Sequence, residues 1–180
     1  AACVAAWLMI GSVLARADDL NVARKLYLDG QQTEALDQVN AYLNSNPADA
    51  QARFLKGLIL TKQNRQADAI QVYQSMIEDF PELPEPYNNL AVLYAAQGRY
   101  ESATDSLEMA IRARPGYATA HENLGDVRAR MASQSYERAA QLDSGNASAR
   151  AKLAVLQGMF AKGEMPGPRP SENAGTSPAR

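Results

Sequence analysis

The chain has 180 residues, of which 46% are hydrophobic, and this is sufficient for one domain with a continuous core. It carries 18 Lys and Arg residues against 20 Asp and Glu residues. This balance excludes the basic surface that neutralises phosphates in a nucleic-acid-binding protein, so we expect no nucleic-acid partner.

The first predicted element is a signal peptide over residues 1–17. An apolar run from Val4 to Leu14 leads to Ala15-Arg16-Ala17, where small residues stand one and three places before a cleavage site. The run is too short to span a bilayer. Cleavage after Ala17 therefore implies a periplasmic or secreted protein with no stable membrane span. Because the initiator Met and the basic n-region are missing, we expect the true N-terminus to lie further upstream.

Two alternatives remain open for this N-terminal segment. The apolar run is also compatible with a buried first helix. Cys3, the single cysteine, faintly resembles the end of a lipoprotein signal, although there the apolar run precedes the cysteine. Cleavage after Ala17 would remove Cys3, so the mature chain would have no disulfide bond.

An internal repeat organises the chain that follows. Two residue types recur with one shared period, namely Pro at 47, 81 and 115, and Ala at 35, 69 and 103. Small residues allow two helices to approach closely, and Pro ends a helix because it cannot continue the hydrogen-bond ladder. Each repeat is therefore predicted to be a pair of helices.

These segments resemble the tetratricopeptide repeat, whose signature places aromatic, small and Pro residues at fixed offsets within one repeat. The segment over 84–117 matches best. Its signature residues are Tyr87, Leu90, Ala91, Tyr94, Gly98, Ala103, Ala110 and Pro115. The resemblance extends roughly over 18–142. It implies an all-α fold, a right-handed superhelix of antiparallel helix pairs closed by a C-terminal capping helix.

The repeat domain is predicted to span 18–160. Its expected helices are 18–28, 33–44, 48–62, 66–79, 84–97, 100–113, 117–131 and 133–142, followed by the capping helix over 147–160. The fourth segment lacks five residues at its turn, so either the turn is very tight or its two helices partly merge. Four prolines and three glycines predict a disordered tail over 161–180.

The sequence offers no constellation for catalysis or metal binding. His121 is the single histidine, and the resemblance places it at a helix-packing position. A lone His without Cys or a second His cannot form a zinc site or a triad. We therefore expect no catalytic residue, no metal and no cofactor, and the chain is not predicted to be an enzyme. Asn146-Ala147-Ser148 fits a glycosylation sequon, but we interpret it as a helix cap.

The resemblance implies a concave groove, formed by the first helix of each repeat, that receives an extended peptide or a partner helix. Carried over by position, the candidate partner-binding residues are Arg24, Phe54, Leu58, Lys62, Asn88, Asn89, Val92, Glu122, Asp126 and Arg130. The alternative is a solvated helix face. Family members that clamp a terminal carboxylate use basic and Asn side chains in three repeats, and here only Asn89 matches, so a clamp is not expected.

Asn88 and Asn89 are the most specific of these candidates. A side-chain amide both donates and accepts hydrogen bonds, so it can hold a peptide main chain with little regard to its sequence. Together, the signal peptide, the absence of cysteine in the mature chain and the short repeat array predict a protein-interaction scaffold or adaptor of the bacterial envelope, with a protein or peptide as its partner. The alternative is an obligate accessory subunit of an envelope enzyme or of an outer-membrane assembly complex.

Overall fold

The computed structural model describes residues 19–172, and within them the chain contains α-helices and no β-strand. In chain order the helices are α1 over 19–28, α2 Gln32–Ser45, α3 Ala50–Lys62, α4 Gln66–Asp79, α5 Pro84–Ala96, α6 Tyr100–Ala113, α7 Ala118–Leu142 and α8 Ala147–Ala161. The predicted all-α fold is confirmed. Of the helices described, none combines the length and the apolar character needed to cross a membrane. The expected signal peptide over 1–17 lies outside the described residues.

The helices belong to two compact units, one over residues 19–80 together with Glu172 and the other over Pro81–Ser171. In the first unit, α3 packs against α2 and α4. In the second unit, α6 packs against α5 and α7, and α8 packs against α7. Within each unit, short connections reverse the chain between successive helices, which gives the antiparallel pairs predicted from the repeat.

The turn within each of the first three helix pairs contains one residue in the left-handed region. Gly30, Asn64 and Gly98 have φ values of 80°, 59° and 74°. Asn64 lies one repeat after Gly30, and Gly98 lies one repeat after Asn64, so the same turn recurs in each of the three repeats. Gly adopts this conformation freely and Asn at small cost, whereas other residues resist it. Each of these turns therefore ends the first helix at a constant place in the repeat.

The fourth helix pair is fused into one helix. The prediction of separate helices over 117–131 and 133–142 is wrong, because α7 runs without a break for 25 residues from Ala118 to Leu142. The fourth segment lacks the five residues at the turn, and the residue 34 positions after Gly98 is Ala132, which lies inside this helix. Ala is the strongest helix former and does not favour a left-handed turn. Of the two alternatives left open by the sequence, the merged helices are the observed one.

Close helix contact in the first unit depends on Gly57 in α3. A Cβ atom at this position would lie 2.6 Å from Cε1 of Tyr73 in α4. Tyr73 is 1% exposed, and its ring packs against Phe54 with 5.8 Å between the centroids. The glycine therefore provides the space that the aromatic core of this unit fills.

Side chains cap two helices at their N-termini. Asp49 Oδ1 accepts a hydrogen bond from the Ala52 N–H at 2.9 Å, and Asn146 Oδ1 accepts one from the Ala149 N–H at 2.9 Å. Each bond satisfies a donor that the first helical turn leaves without a partner. The interpretation of Asn146 as a helix cap is therefore confirmed.

The packing position expected for His121 is not observed. Its side chain is exposed, and its Nε2 lies 2.9 Å from the carbonyl oxygen of Pro115. The buried face of α7 is formed instead by Ala120, Leu124 and Val127, which recur at helical spacing. His121 lies one residue after Ala120, and this places it off that face.

Candidate functional site

The chain that follows α8 lies along α5 and α7 of the second unit. We call residues 166–171 the tail segment. Gly167 is buried, and the main chain of Arg169 and Ser171 is hydrogen-bonded to asparagine side chains. The disorder expected over 161–180 is therefore wrong for this stretch, because its main-chain polar groups find partners on the two helices. Residues 173–180 lie outside the described residues.

Asn123 of α7 holds the main chain of Arg169 by two hydrogen bonds. The Arg169 N–H donates to Asn123 Oδ1 at 2.8 Å, and Asn123 Nδ2 donates to the Arg169 carbonyl oxygen at 2.8 Å. Both polar groups of one tail residue are thus satisfied by one side chain.

Asn89 of α5 makes the same arrangement with Ser171. The Ser171 N–H donates to Asn89 Oδ1 at 2.6 Å, and Asn89 Nδ2 donates to the Ser171 carbonyl oxygen at 3.0 Å. The tail segment therefore crosses from α7 to α5, opposite to the order of the helices in the chain. A step of two residues in the tail corresponds to one repeat in the helices.

Asn88 connects these two contacts. Its Nδ2 donates to the Arg169 carbonyl oxygen and to Ser171 Oγ, both at 3.1 Å, and its Oδ1 accepts from Asn123 Nδ2 at 2.7 Å. Asn88 and Asn123 are fully buried, and Asn89 is 2% exposed. We call these three residues the asparagine cluster. Buried amides that are satisfied in this way fix the path of the chain they hold.

Charged side chains on α7 line the tail segment beside the asparagine cluster. Glu122, Asp126 and Arg130 are spaced by four residues, which places them on one face of the helix. Glu122 forms an ion pair with Arg169. Burial raises the pKa of Asp126, and Glu122 raises it further, whereas Arg130 and Arg169 act in the opposite direction. This strip therefore favours a cation, such as Arg169, in the bound segment.

Tyr117, at the start of α7, closes the site at Ser171. Its hydroxyl is hydrogen-bonded to the Ser171 hydroxyl. Burial raises the pKa of Tyr117 above its usual 10.0, although the hydrogen bond to Ser171 lowers it. The phenol is therefore neutral at physiological pH and serves as a hydrogen-bonding group rather than as a charge.

The structure divides the predicted groove residues between the two units. The first unit contains Arg24, Phe54, Leu58 and Lys62. Phe54 and Leu58 are buried, Arg24 is partly buried, and Lys62 is exposed. In the second unit, Asn88, Asn89 and Glu122 bond to the tail segment, and Arg130 lies beside Gly167. Asp126 lies between Glu122 and Arg130 on the same face of α7, and Val92 is half-buried on α5.

Two further site residues, Asn123 and Tyr117, were not among the predicted candidates. Asn123 stands one full repeat after Asn89, at the same position of the next repeat. This periodicity is a signal that identifies it, because both residues stand on the first helix of their pair. Tyr117 carries no such signal, since its contact is with a residue 54 positions later in the chain.

The first unit contains a separate cavity of about 520 Å³, lined by α2, α3 and α4. Its three cationic residues are Arg53, Lys56 and Arg65. Arg53 is paired with Asp79 at 2.6 Å, and Arg65 is paired with Asp68 at 2.6 Å. Because these carboxylates already neutralise two of the cations, the lining gives little preference for an anionic ligand. Across residues 19–172, no group of His, Cys, Asp and Glu is arranged to hold a metal ion.

A family model described as "Virulence factor membrane-bound polymerase, C-terminal" matches residues 1–128. The TPR repeat-containing thioredoxin TTL4 of Arabidopsis thaliana is 32% identical over 101 residues, which is 56% of this chain and 15% of that protein. Photosystem I assembly protein Ycf3 of Cyanophora paradoxa is 33% identical over 87 residues, which is 46% of this chain and 49% of that protein. This chain therefore covers less than half the length of these curated relatives.

Solved structures show the same fold at low sequence identity. The TPR protein TTC0263 of Thermus thermophilus has a TM-score of 0.60 at 24% identity, over 82% of this chain and 83% of that chain. The first TPR of Spaghetti (RPAP3) bound to the HSP90 peptide SRMEEVD has a TM-score of 0.60 at 14% identity, over 65% of this chain and 93% of that chain. The second of these structures contains a bound peptide.

Proposed function

The chain belongs to the family described as "Virulence factor membrane-bound polymerase, C-terminal" and is built of tetratricopeptide repeats, and from this premise we propose that it is a partner-binding accessory subunit of a membrane-bound polymerase. Its repeats hold another protein by an extended segment of that protein. Of the two functions predicted from the sequence, the family description favours the accessory role at an envelope enzyme over a free adaptor.

The observation that carries this proposal is the asparagine cluster on the main chain of the tail segment. Asn89 and Asn123 each satisfy both main-chain groups of one residue. An extended peptide exposes these groups at every residue, and in a complex they need partners once water is excluded. The second unit therefore offers a site for an extended peptide. We assign the described repeats to partner binding and not to the polymerising chemistry.

The location in the bacterial envelope is part of the proposal, and it depends on residues 1–17. Signal cleavage after Ala17 would leave Asp18 as the first residue. Mass spectrometry of the protein recovered from the envelope measures this directly. A chain that keeps residues 1–17 would overturn the cleavage. Membrane fractionation would then show whether that chain stays with the membrane.

The partner-binding role is tested by affinity purification of the full chain from envelope extract at moderate salt. The test variant carries Asn89→Ala and Asn123→Ala, and the matched control carries Gln141→Ala, an exposed residue near the end of α7. We expect the wild type and the control to recover a stoichiometric partner and the test variant to lose it. Equal recovery by the test variant, with an unchanged melting temperature, would remove partner binding from this site.

A further inference from the structure

We propose that the site on α5 and α7 selects peptide segments with proline at alternate positions, and that the tail segment is its built-in occupant, which a partner must displace. This inference rests on the proposed function and names the class of partner. The structure provides three independent arguments for it, namely the proline spacing, the charge at Glu122 and the conformation of Gly167.

The proline spacing matches the hydrogen bonds that the asparagine cluster offers. Prolines stand at 166, 168 and 170, so these residues have no main-chain N–H. The N–H groups of Arg169 and Ser171, between and after the prolines, are both bound by asparagine Oδ1 atoms. A peptide with N–H groups at every residue would bring additional donors that the asparagine cluster does not pair, and these donors would have to find water instead.

The prolines are recognised through their effect on the backbone rather than by pockets. Pro166 and Pro170 are exposed, and Pro168 is half-buried. Proline restricts φ and favours the extended polyproline conformation before binding, so less conformational entropy is lost when the segment is ordered. The side-chain preference comes from the residue between two prolines, where Arg169 pairs with Glu122.

Gly167 shows that the tail segment itself is fitted to this site. Its φ is +102°, which residues with a Cβ adopt rarely, and a Cβ there would lie 3.1 Å from Nη2 of Arg130. Arg130 in turn lies over the ring of Phe160, with its Cζ 4.8 Å from the ring centroid. Gly167 therefore offers a substitution that displaces the tail segment without altering any residue of α5 or α7.

The tail segment is joined to the end of α8 by a few residues, so it competes with any partner as an intramolecular ligand. A short linker gives an effective concentration in the millimolar range, which is enough to occupy a site of modest affinity. A free peptide or partner protein therefore binds the wild-type chain more weakly than it would bind a chain whose tail segment has been displaced.

The test uses the full chain and a fluorescent peptide with the sequence of residues 164–172. Peptide affinity is measured by anisotropy for the wild type, for Gly167→Val and for the control Gly158→Val, whose Cβ has no atom within 4 Å. We expect Gly167→Val to bind the peptide at least about tenfold more tightly than the wild type, because its own tail no longer competes. The control is expected to match the wild type. A second peptide, with Ala at both positions corresponding to Pro168 and Pro170, is expected to bind Gly167→Val at least about fivefold more weakly.

Each alternative outcome overturns a stated part of the inference. Equal peptide affinity for the wild type and Gly167→Val would mean that the tail segment does not occupy the site in solution. Equal affinity for the two peptides would remove the selection for proline. If Gly167→Val fails to bind the peptide, this inference is overturned. The proposed function still stands if the variant with Asn89→Ala and Asn123→Ala loses the envelope partner. If Gly167→Val does not fold, Arg169→Glu, which places a second carboxylate beside Glu122, is the second variant, and a smaller gain in peptide affinity is expected from it because this ion pair is exposed.

Discussion

Asn89 and Asn123 occupy the same position of successive repeats, and each binds both main-chain groups of one residue in the tail segment. The bound residues, Arg169 and Ser171, are two apart. The repeated amide thus sets the register of the tail segment, because successive repeats bind alternate residues of it.

Asn123→Ala is predicted to release the tail segment. The substitution removes both hydrogen bonds to Arg169 and leaves its N–H without an acceptor, which we expect to cost about 1–3 kcal/mol in tail docking. Hydrogen–deuterium exchange of the peptide that covers residues 164–172 should become faster, while exchange in α5 and α6 stays unchanged. Gln141→Ala is the control on the same helix. Unchanged exchange of the tail in Asn123→Ala would show that these bonds do not hold it.

The repeat period was sufficient to predict the helices but not the fusion of the last pair. Pro47, Pro81 and Pro115 recur at the helix ends, and the all-α fold follows from them with the small residues of the same period. In the fourth pair the five missing residues left two alternatives open, a very tight turn or partly merged helices. Whether the chain still reverses there depends on the competition between helix propensity and packing, which a local pattern does not settle.

The repeat also predicted the part of the candidate site that lies on the helices, but not the tail segment that binds there. Asn88 and Asn89 were identified because the repeat gives their position and because an amide suits a main chain. Their partner was not predicted, since the composition of 161–180 is that of a solvated tail. The asparagine cluster binds tail residues that lie more than 40 positions away in the sequence, and no period connects the tail with the repeats.

Gly57→Ala is predicted to destabilise the first unit by about 1–3 kcal/mol, because the added methyl group overlaps the Tyr73 ring and the core must shift. The matched control is Gly125→Ala in α7, where a Cβ has no atom within 4 Å. There the better helix propensity of Ala should stabilise the chain by up to about 1 kcal/mol. Chemical denaturation measures both. A neutral Gly57→Ala would mean that Tyr73 has room to move.

Arg114→Met is predicted to destabilise the second unit through Glu85. Arg114 Nη1 donates to Glu85 Oε1 at 2.9 Å, and the Glu85 side chain is only 3% exposed. Removing the cation leaves a buried carboxylate without its partner, at a cost of about 1.5–3 kcal/mol. Adding Glu85→Gln should recover part of this loss, because it removes the unpaired charge. A double-mutant cycle by denaturation measures the coupling, and additive losses would contradict it.

Asp126→Asn is predicted to change the pH dependence of stability. Burial, followed by the charge of Glu122, raises the pKa of Asp126 above its ordinary 3.8, so the folded chain holds this proton more tightly than the unfolded chain does. The stability that the neutral carboxyl provides is therefore fully present below pH 3.8 and is lost as the pH rises through the raised pKa. At neutral pH the Asn variant, which cannot ionise, should melt at a higher temperature than the wild type. The difference between the two should shrink as the pH falls towards 4.

The control for this pH dependence is Glu137→Gln. Glu137 is an exposed carboxyl on the same helix, and its substitution removes the same charge from the chain. Melting curves of the wild type and both variants between pH 4 and pH 7 separate a local effect from a change in net charge. If net charge were the cause, both variants would shift alike with pH. If burial of Asp126 is the cause, only Asp126→Asn gains stability relative to the wild type as the pH rises. A variant that melts below the wild type at pH 7 would show instead that the attraction of Arg130 and Arg169 for Asp126 outweighs its burial.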